Sequence, residues 1–256
     1  MEKILFKKSY SHNNYKEKPF DYLWNKKGAF TSVAVYGRSK KFLHFDEHIY
    51  NLTRSLKKIG VKVNLKPFLN SFIKKNFKNN IKYHHLFRVA VSTKTISISL
   101  RKINYNTNYV KCVLINYQRP NYKIKNLKYK KTFDFLKLVN NRNTECIFYK
   151  NKIILEGSTT NIVFIYKNQI LTPKEGCYHG ISLKFFSKKF KIKKKNIFLQ
   201  NLNNYDEIIL LGSGRGVVSV DEIPQIGWKK RDNLFYNKFY QFYKSYINKT
   251  LSKRQK

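Results

Sequence analysis

Glu156 closes an apolar run, Ile153-Ile-Leu155, and is followed by Gly157-Ser-Thr-Thr160-Asn161 and a second apolar run, Ile162-Val-Phe-Ile165. An acid embedded between apolar strands needs a cationic partner or must be neutral. It is either a strand-end residue paired with one of many lysines or a carboxylate placed for a task. Further on, Gly180-Ile181-Ser182 reads as a helix start. Its backbone N–H groups suit a phosphate dianion and Ser182 adds a hydroxyl, unless Ser182 is an ordinary N-cap after a glycine turn. Leu211-Gly-Ser213-Gly214-Arg-Gly216 is a glycine-rich turn between two strand-like runs, with the Ser213 hydroxyl and the Gly214 N–H as a second possible phosphate contact. Lys125, Lys128, Lys130 and Lys131 cluster upstream of Glu156. A lysine with a lowered pKa can attack a carbonyl and serve as a general base, and any one of these is equally a solvated surface residue.

The elements that must position these groups follow from pattern. Ala29–Val35 alternates as a strand, Gly37–Lys41 turns, and Phe42–Phe45 returns. Asp46 stands as an N-cap before Ile49, Leu52, Leu56 and Ile59 at helical spacing, with Gly60 as the stop. A second helix is expected over 66–77, then strands at 86–91, 96–103 and 109–115, rich in Val and Ile. Arg119-Pro-Asn121 breaks the pattern as an extended linker. The expected organisation is a small α+β domain over 1–118, a linker at 119–123 and a larger domain over 124–256. Within the latter, strands at 146–149, 153–155, 162–166, 170–171, 206–211 and 217–220 accompany helices at 132–139, 182–190 and 233–249. The basic stretch Lys7–Lys18 reads either as a degenerate transit segment or as a solvated loop.

Ile154-Leu-Glu-Gly-Ser-Thr-Thr-Asn-Ile-Val-Phe164, Gln169-Ile-Leu-Thr-Pro173 and Gly180-Ile-Ser182, in that order, resemble the signature of the class IV aminotransferases. Lys27-Gly-Ala-Phe-Thr31, Phe45–Leu56 and Val217–Ile223 extend the resemblance over nearly the whole chain. It implies an α+β, two-domain fold-type-IV enzyme with a β-barrel-like larger domain, pyridoxal 5'-phosphate as cofactor, and a homodimer. It places Glu156 against the pyridine nitrogen, Thr160 and Asn161 in the adjoining turn, and Ile181, Ser182, Ser213 and Gly214 at the phosphate. It also implies an internal aldimine with a lysine, for which Leu127-Lys128-Tyr129 is the best local match, with Lys125, Lys130 and Lys131 still open. Asn51 stands where the family's phosphate-binding Arg would be, so either Arg54, one turn on, replaces it if the helix is rotated, or a nearby Lys does so from elsewhere. His48 matches the helix motif and reads as a packing or capping residue. Arg88 opens a strand that in the family lies near the site.

The chemistry so implied is transamination of a branched-chain or D-amino acid, or alternatively release of pyruvate from aminodeoxychorismate to give 4-aminobenzoate. Composition offers a third reading. The 53 Lys and Arg against 14 Asp and Glu give +39, the mark of a basic nucleic-acid-binding protein. Yet the lysines are spread through the whole chain instead of being gathered on one element, so no specific nucleic acid is expected. Cys112, Cys146 and Cys177 suggest neither a disulfide framework nor a metal site, which points to a reducing compartment, cytoplasm or organelle interior. No run is apolar enough for a membrane span or a secretory signal.

Overall fold

The computed structural model describes residues 4–103, 108–139 and 143–252 of the chain. Its contacts divide into two compact units. One is Met1–Asn104 with Ile124–Tyr129 and Asn248–Lys256; the other is Tyr105–Lys123 with Lys130–Ile247.

The first unit contains β1 (Ile4–Ser11), β2 (Glu17–Lys18), β3 (Gly28–Gly37), β4 (Lys41–Phe42), α1 (Phe45–Lys58), α2 (Leu65–Asn76), β5 (Tyr83–Ser92) and β6 (Thr95–Lys102). The strands form one sheet in the order β2-β1-β6-β5-β3-β4. Ile49, Leu52 and Leu56 of α1 and Leu65, Leu69 and Phe72 of α2 pack on alternate residues of β3, β5 and β6, among them Val33, Val35, Phe87, Val89 and Ile98. The apolar periods of 3.6 and 2 thus face one another, which is what holds two helices on a sheet. The helix starts one residue before Asp46, with His44 as N-cap at a φ of 55°, so Asp46 and Glu47 sit in the first turn and complement the helix dipole. The stretch Lys7–Lys18, expected as a transit segment or loop, is instead largely strand. β1 pairs in register with β6, Lys8 opposite Ile98, and buries Ser9 and the inward faces of Phe6 and Tyr10.

The second unit contains β7 (Tyr109–Asn116), α3 (Lys130–Leu138), β8 (Thr144–Lys150), β9 (Ile153–Gly157), β10 (Asn161–Tyr166), β11 (Gln169–Pro173), α4 (Ile181–Ser187), β12 (Ile192–Lys195), β13 (Ile197–Phe198), β14 (Glu207–Gly212), β15 (Gly216–Ile223), β16 (Trp228–Lys229) and α5 (Leu234–Ser252). Its sheet runs β12-β11-β10-β14-β15-β7-β8-β9-β13, with β16 on β15. The contacts therefore part before β7, not at the linker 119–123. The physical reason is pairing: β7 lies between β15 and β8, parallel to both, so it is an interior strand of the second sheet. Leu183 and Phe186 of α4 and Tyr236 and Phe239 of α5 cover Val163, Ile209 and Val217. The start of α5 is capped by the buried Glu207 carboxylate, which accepts the N–H of Phe235 at 2.8 Å and of Tyr236 at 2.7 Å. The architecture is α+β. No helix among the described residues is long and apolar enough to cross a membrane.

Candidate active site

Strand direction brings the signature residues to one end of the second sheet. β10 runs antiparallel to β14 with Asn161 opposite Leu211, and β8 antiparallel to β9 with Ile147 opposite Gly157. The end of β9, the start of β10, the β14–β15 loop and the start of β8 consequently share that end.

Glu156, at the end of β9, is 4% exposed. The partner demanded by its burial is Arg119, from the segment that leaves β7. Arg119 Nε donates to Oε1 at 2.6 Å and Nη2 to Oε2 at 2.8 Å, while the Tyr178 N–H donates to Oε2 at 3.1 Å. A carboxylate offers about four lone-pair sites. Three donors leave one acceptor position, which fits the protonated nitrogen of a pyridine ring.

Asn161 fixes the next segment. Its Nδ2 donates to the Tyr178 carbonyl at 2.5 Å and its Oδ1 accepts the Gly180 N–H at 3.0 Å. A Cβ at Gly180 would lie 2.8 Å from that same Oδ1, so the approach requires glycine here. Gly180 is the N-cap of α4, which makes Ser182 a first-turn residue instead of the cap. Ile181 is buried and Ser182 half-buried. Thr160 ends the tight turn 157–160, in which the Gly157 N–H donates to the Thr160 carbonyl at 3.0 Å. The Thr160 hydroxyl is buried without a hydrogen-bond partner. Ser213 and Gly214 sit, half-buried, in the loop closed by the Gly212–Gly216 pair.

Two buried groups at this end escaped the sequence reading. Glu145, at the start of β8, is fully buried, and Arg215 Nε lies 3.1 Å from its Oε2. Burial pushes the Glu145 carboxyl pKa up, against the opposing pull of Arg215 and of hydrogen bonds from Thr159 and backbone N–H groups. A charged residue within an apolar strand was the available signal, at Glu145 as at Arg88.

The lysine cluster divides between the units. Lys130 and Lys131 belong to α3, and both are exposed. Residues 124–129 lie along β3: the Phe30 N–H donates to the Lys125 carbonyl at 2.9 Å and the Leu127 N–H to Gly28 at 3.1 Å. Lys128 is exposed, its N–H bonded to Asn126 Oδ1 at 2.9 Å. Lys125 is half-buried with its ammonium 5.0 Å from the Phe30 ring centroid. His48 lies close by. Its Nδ1 is 2.7 Å from Thr31 Oγ1, and burial, followed by the charges of Lys125 and His44, pushes its pKa down to about 3. His48 is thus a neutral ring packed on β3.

On α1, Asn51 is half-buried, while Arg54 is exposed on the side away from His48, Ile49, Leu52 and Leu56. The helix is not rotated to bring Arg54 inward. Arg88, on β5, is 8% exposed and lies beneath aromatic rings, its guanidinium carbon 4.0 Å from the Trp24 centroid and 5.3 Å from that of Phe30. Nη2 donates to the Tyr22 carbonyl at 2.8 Å, but Nε and Nη1 are buried without partners. Burial pushes its pKa down to about 9, which leaves it a cation at neutral pH. Among the described residues no cluster of His, Cys, Asp and Glu could hold a metal ion.

The free acceptor on Glu156 and the orphaned Thr160 hydroxyl fit a pyridine-bearing, phosphorylated cofactor. The comparisons agree with that reading. No curated protein matches the sequence. Among solved structures, a branched-chain aminotransferase from Thermoproteus uzoniensis with norvaline superposes with a TM-score of 0.79 at 15% identity, covering 96% of each chain. A hypothetical aminotransferase from Mycobacterium tuberculosis in its PLP-bound form gives 0.74 at 12% identity, over 96% of this chain and 99% of that one. A putative 4-amino-4-deoxychorismate lyase from Legionella pneumophila gives 0.73 at 16% identity, over 93% and 97%. These likenesses establish the fold. The sequence profile of amino-transferase class IV matches residues 28–223, and the chain therefore belongs to the class IV aminotransferases, a family of pyridoxal-phosphate enzymes.

Proposed function

We propose that the protein transfers the amino group of a branched-chain or D-amino acid to a 2-oxo acid. The observation that carries this reading is the single acceptor position left on the buried Glu156 carboxylate. When bound, pyridoxal phosphate supplies an electron sink for the carbanion formed at the substrate Cα. Glu156 would hold a proton on the pyridine nitrogen, and Arg119 orients its carboxyl group for that contact. The N–H groups and hydroxyls of Ile181, Ser182, Ser213 and Gly214 would hold the phosphate, with Thr160 and Asn161 fixing the adjoining turns.

Of the four lysines, we propose Lys125 as the one that carries the cofactor and moves the Cα proton. It is partly withdrawn from solvent beside neutral His48, whereas Lys128, favoured by local sequence, is exposed. Arg88, with two buried nitrogens unpartnered, binds a substrate carboxylate, a role that offsets the cost of burying it. The working form is a homodimer, which a sedimentation mass of twice the chain would support.

The test is direct. Purified protein should carry a visible band that borohydride bleaches, and mapping of the reduced protein should find the label on Lys125. Label on Lys128 would restore the local-sequence choice, and label outside 123–131 would reject both. Incubation with amino donors and 2-oxoglutarate should yield glutamate. Pyruvate release from aminodeoxychorismate with no glutamate formed would instead assign a lyase, and a protein that cannot be loaded with the cofactor would sink the enzyme reading.

A further inference from the structure

The β14–β15 loop is built from three glycines, Gly212, Gly214 and Gly216, and glycine-rich backbone costs the most entropy to hold in one conformation. The one large side chain in it, Arg215, does not reach toward solvent: it is 4% exposed. Its Nε lies 3.1 Å from Glu145 Oε2, and its Nη2 donates to the Thr144 carbonyl at 3.3 Å. The same carboxylate accepts the hydroxyls of Ser158 and, at 3.0 Å, of Thr159, and the Cys146 N–H at 3.2 Å. Glu145 is therefore a fully buried hub that joins the loop after β14 to the turn between β9 and β10. The two segments touch directly as well. A Cβ on Gly212 would lie 3.0 Å from Thr160 Cγ2 and 3.3 Å from the Thr159 carbonyl.

We propose that the Arg215–Glu145 ion pair is a positioning device for the cofactor's phosphate, locking Ser213 and Gly214 against the Ser158–Thr160 turn so that they present fixed, uncharged donors to it. The inference rests on the cofactor reading above and deepens it. Arg215 is the cation nearest these donors in sequence, and Asn51 leaves the phosphate without its usual arginine. Engaged with Glu145, however, Arg215 cannot serve as the counter-charge. Its charge is used inside the protein, and its effect on the phosphate is geometric. Binding by pre-organised neutral donors gains affinity by removing the entropy cost of ordering them.

The experiment compares pyridoxal phosphate with pyridoxal, which has the same ring and no phosphate, by measuring both dissociation constants for the full-length protein and for variants. R215M should weaken pyridoxal phosphate binding at least about tenfold, the scale of a charged hydrogen bond, and leave pyridoxal within about twofold. R215K should recover part of the loss. R215M strands a buried carboxylate and is expected to be less stable, so the double variant E145Q/R215M, with no stranded charge, is measured beside it. It should unfold close to the wild-type temperature yet show the same selective loss. Equal weakening of both ligands, or a folded double variant that binds pyridoxal phosphate as the wild type does, would overturn the proposal. A wild-type protein that binds pyridoxal phosphate no better than pyridoxal would overturn the phosphate reading beneath it.

Discussion

Arg119 and Arg88 are both buried, one in each unit, and they are satisfied in opposite ways. In the second unit, Arg119 meets Glu156 through two short parallel hydrogen bonds. In the first, Arg88 lies against Trp24 and Phe30 with one backbone acceptor and two unpartnered nitrogens. A buried ion pair is a finished piece of structure, whereas a buried cation with spare donors is a cost the fold carries for a ligand. The second unit's Arg119 is paired inside the fold, and the first unit's Arg88 keeps two buried nitrogens unpartnered.

That contrast is broken most sharply by exchanging each arginine for Met. Arg119→Met leaves the Glu156 carboxyl group buried without its cation, with the Tyr178 N–H still donating to it. Unfolding free energy should fall by about 3–5 kcal/mol, measured by urea denaturation, and cofactor should be lost on gel filtration. Arg88→Met removes an under-satisfied cation from beside the Trp24 and Phe30 rings. Stability should be unchanged or rise by about 1 kcal/mol, while KM for a carboxylate-bearing substrate rises by roughly 10- to 100-fold with cofactor retained. If both variants lose stability alike, the distinction between finished and waiting charges fails.

Acid separates the units in a different way. His48 in the first unit has its pKa pushed down to about 3 by burial, from an ordinary 6.5. The unfolded chain then binds a proton that the folded chain refuses, so stability rises with pH through that window and is lost as pH falls from 6.5 toward 3. The slope is about 1.4 kcal/mol per pH unit. Glu145 in the second unit has its carboxyl raised by burial, so its folded form holds the proton longer and contributes the opposite sign, stability lost as pH rises above its ordinary value of 4.5. His48→Gln should flatten the acid limb of a stability–pH curve, and an unchanged limb would show that the His48 ring is charged in the folded protein.

The reach of the sequence can be judged from these same residues. Glu156, Asn161 and Gly180 were legible because each sits in a local pattern, and a turn's geometry depends on few neighbours. α1 was legible because its apolar period is long and uninterrupted. Arg119 was read only as a linker residue, since its meaning comes from a partner 37 positions away. Glu145 and Arg215, 70 positions apart, were invisible for the same reason. β7 was assigned to the wrong side of the boundary because strand identity is local while sheet membership is set by pairing. β1 was hidden by its lysines: Lys7 and Lys8 interrupt the alternation that Phe6 and Tyr10 carry.

The smallest effect concerns the position where the family resemblance fails. Asn51 lies on α1 between the buried face and the exposed side that carries Arg54, and it is half-buried. Its side chain has no charge to offer a phosphate, and Arg54 lies on the exposed side of α1. Asn51→Arg should therefore strengthen pyridoxal phosphate binding by up to about tenfold, with less effect on pyridoxal and on unfolding temperature, because a residue at the edge of a helix face can carry a long side chain without disturbing Ile49 or Leu52. The gain should shrink as ionic strength rises, the signature of a charge partly open to solvent. Arg54→Met should leave both affinities unchanged. If instead Arg54→Met weakens pyridoxal phosphate selectively and Asn51→Arg does nothing, the phosphate is held from the exposed side of α1, and the neutral-donor cradle of the second unit is not its main support.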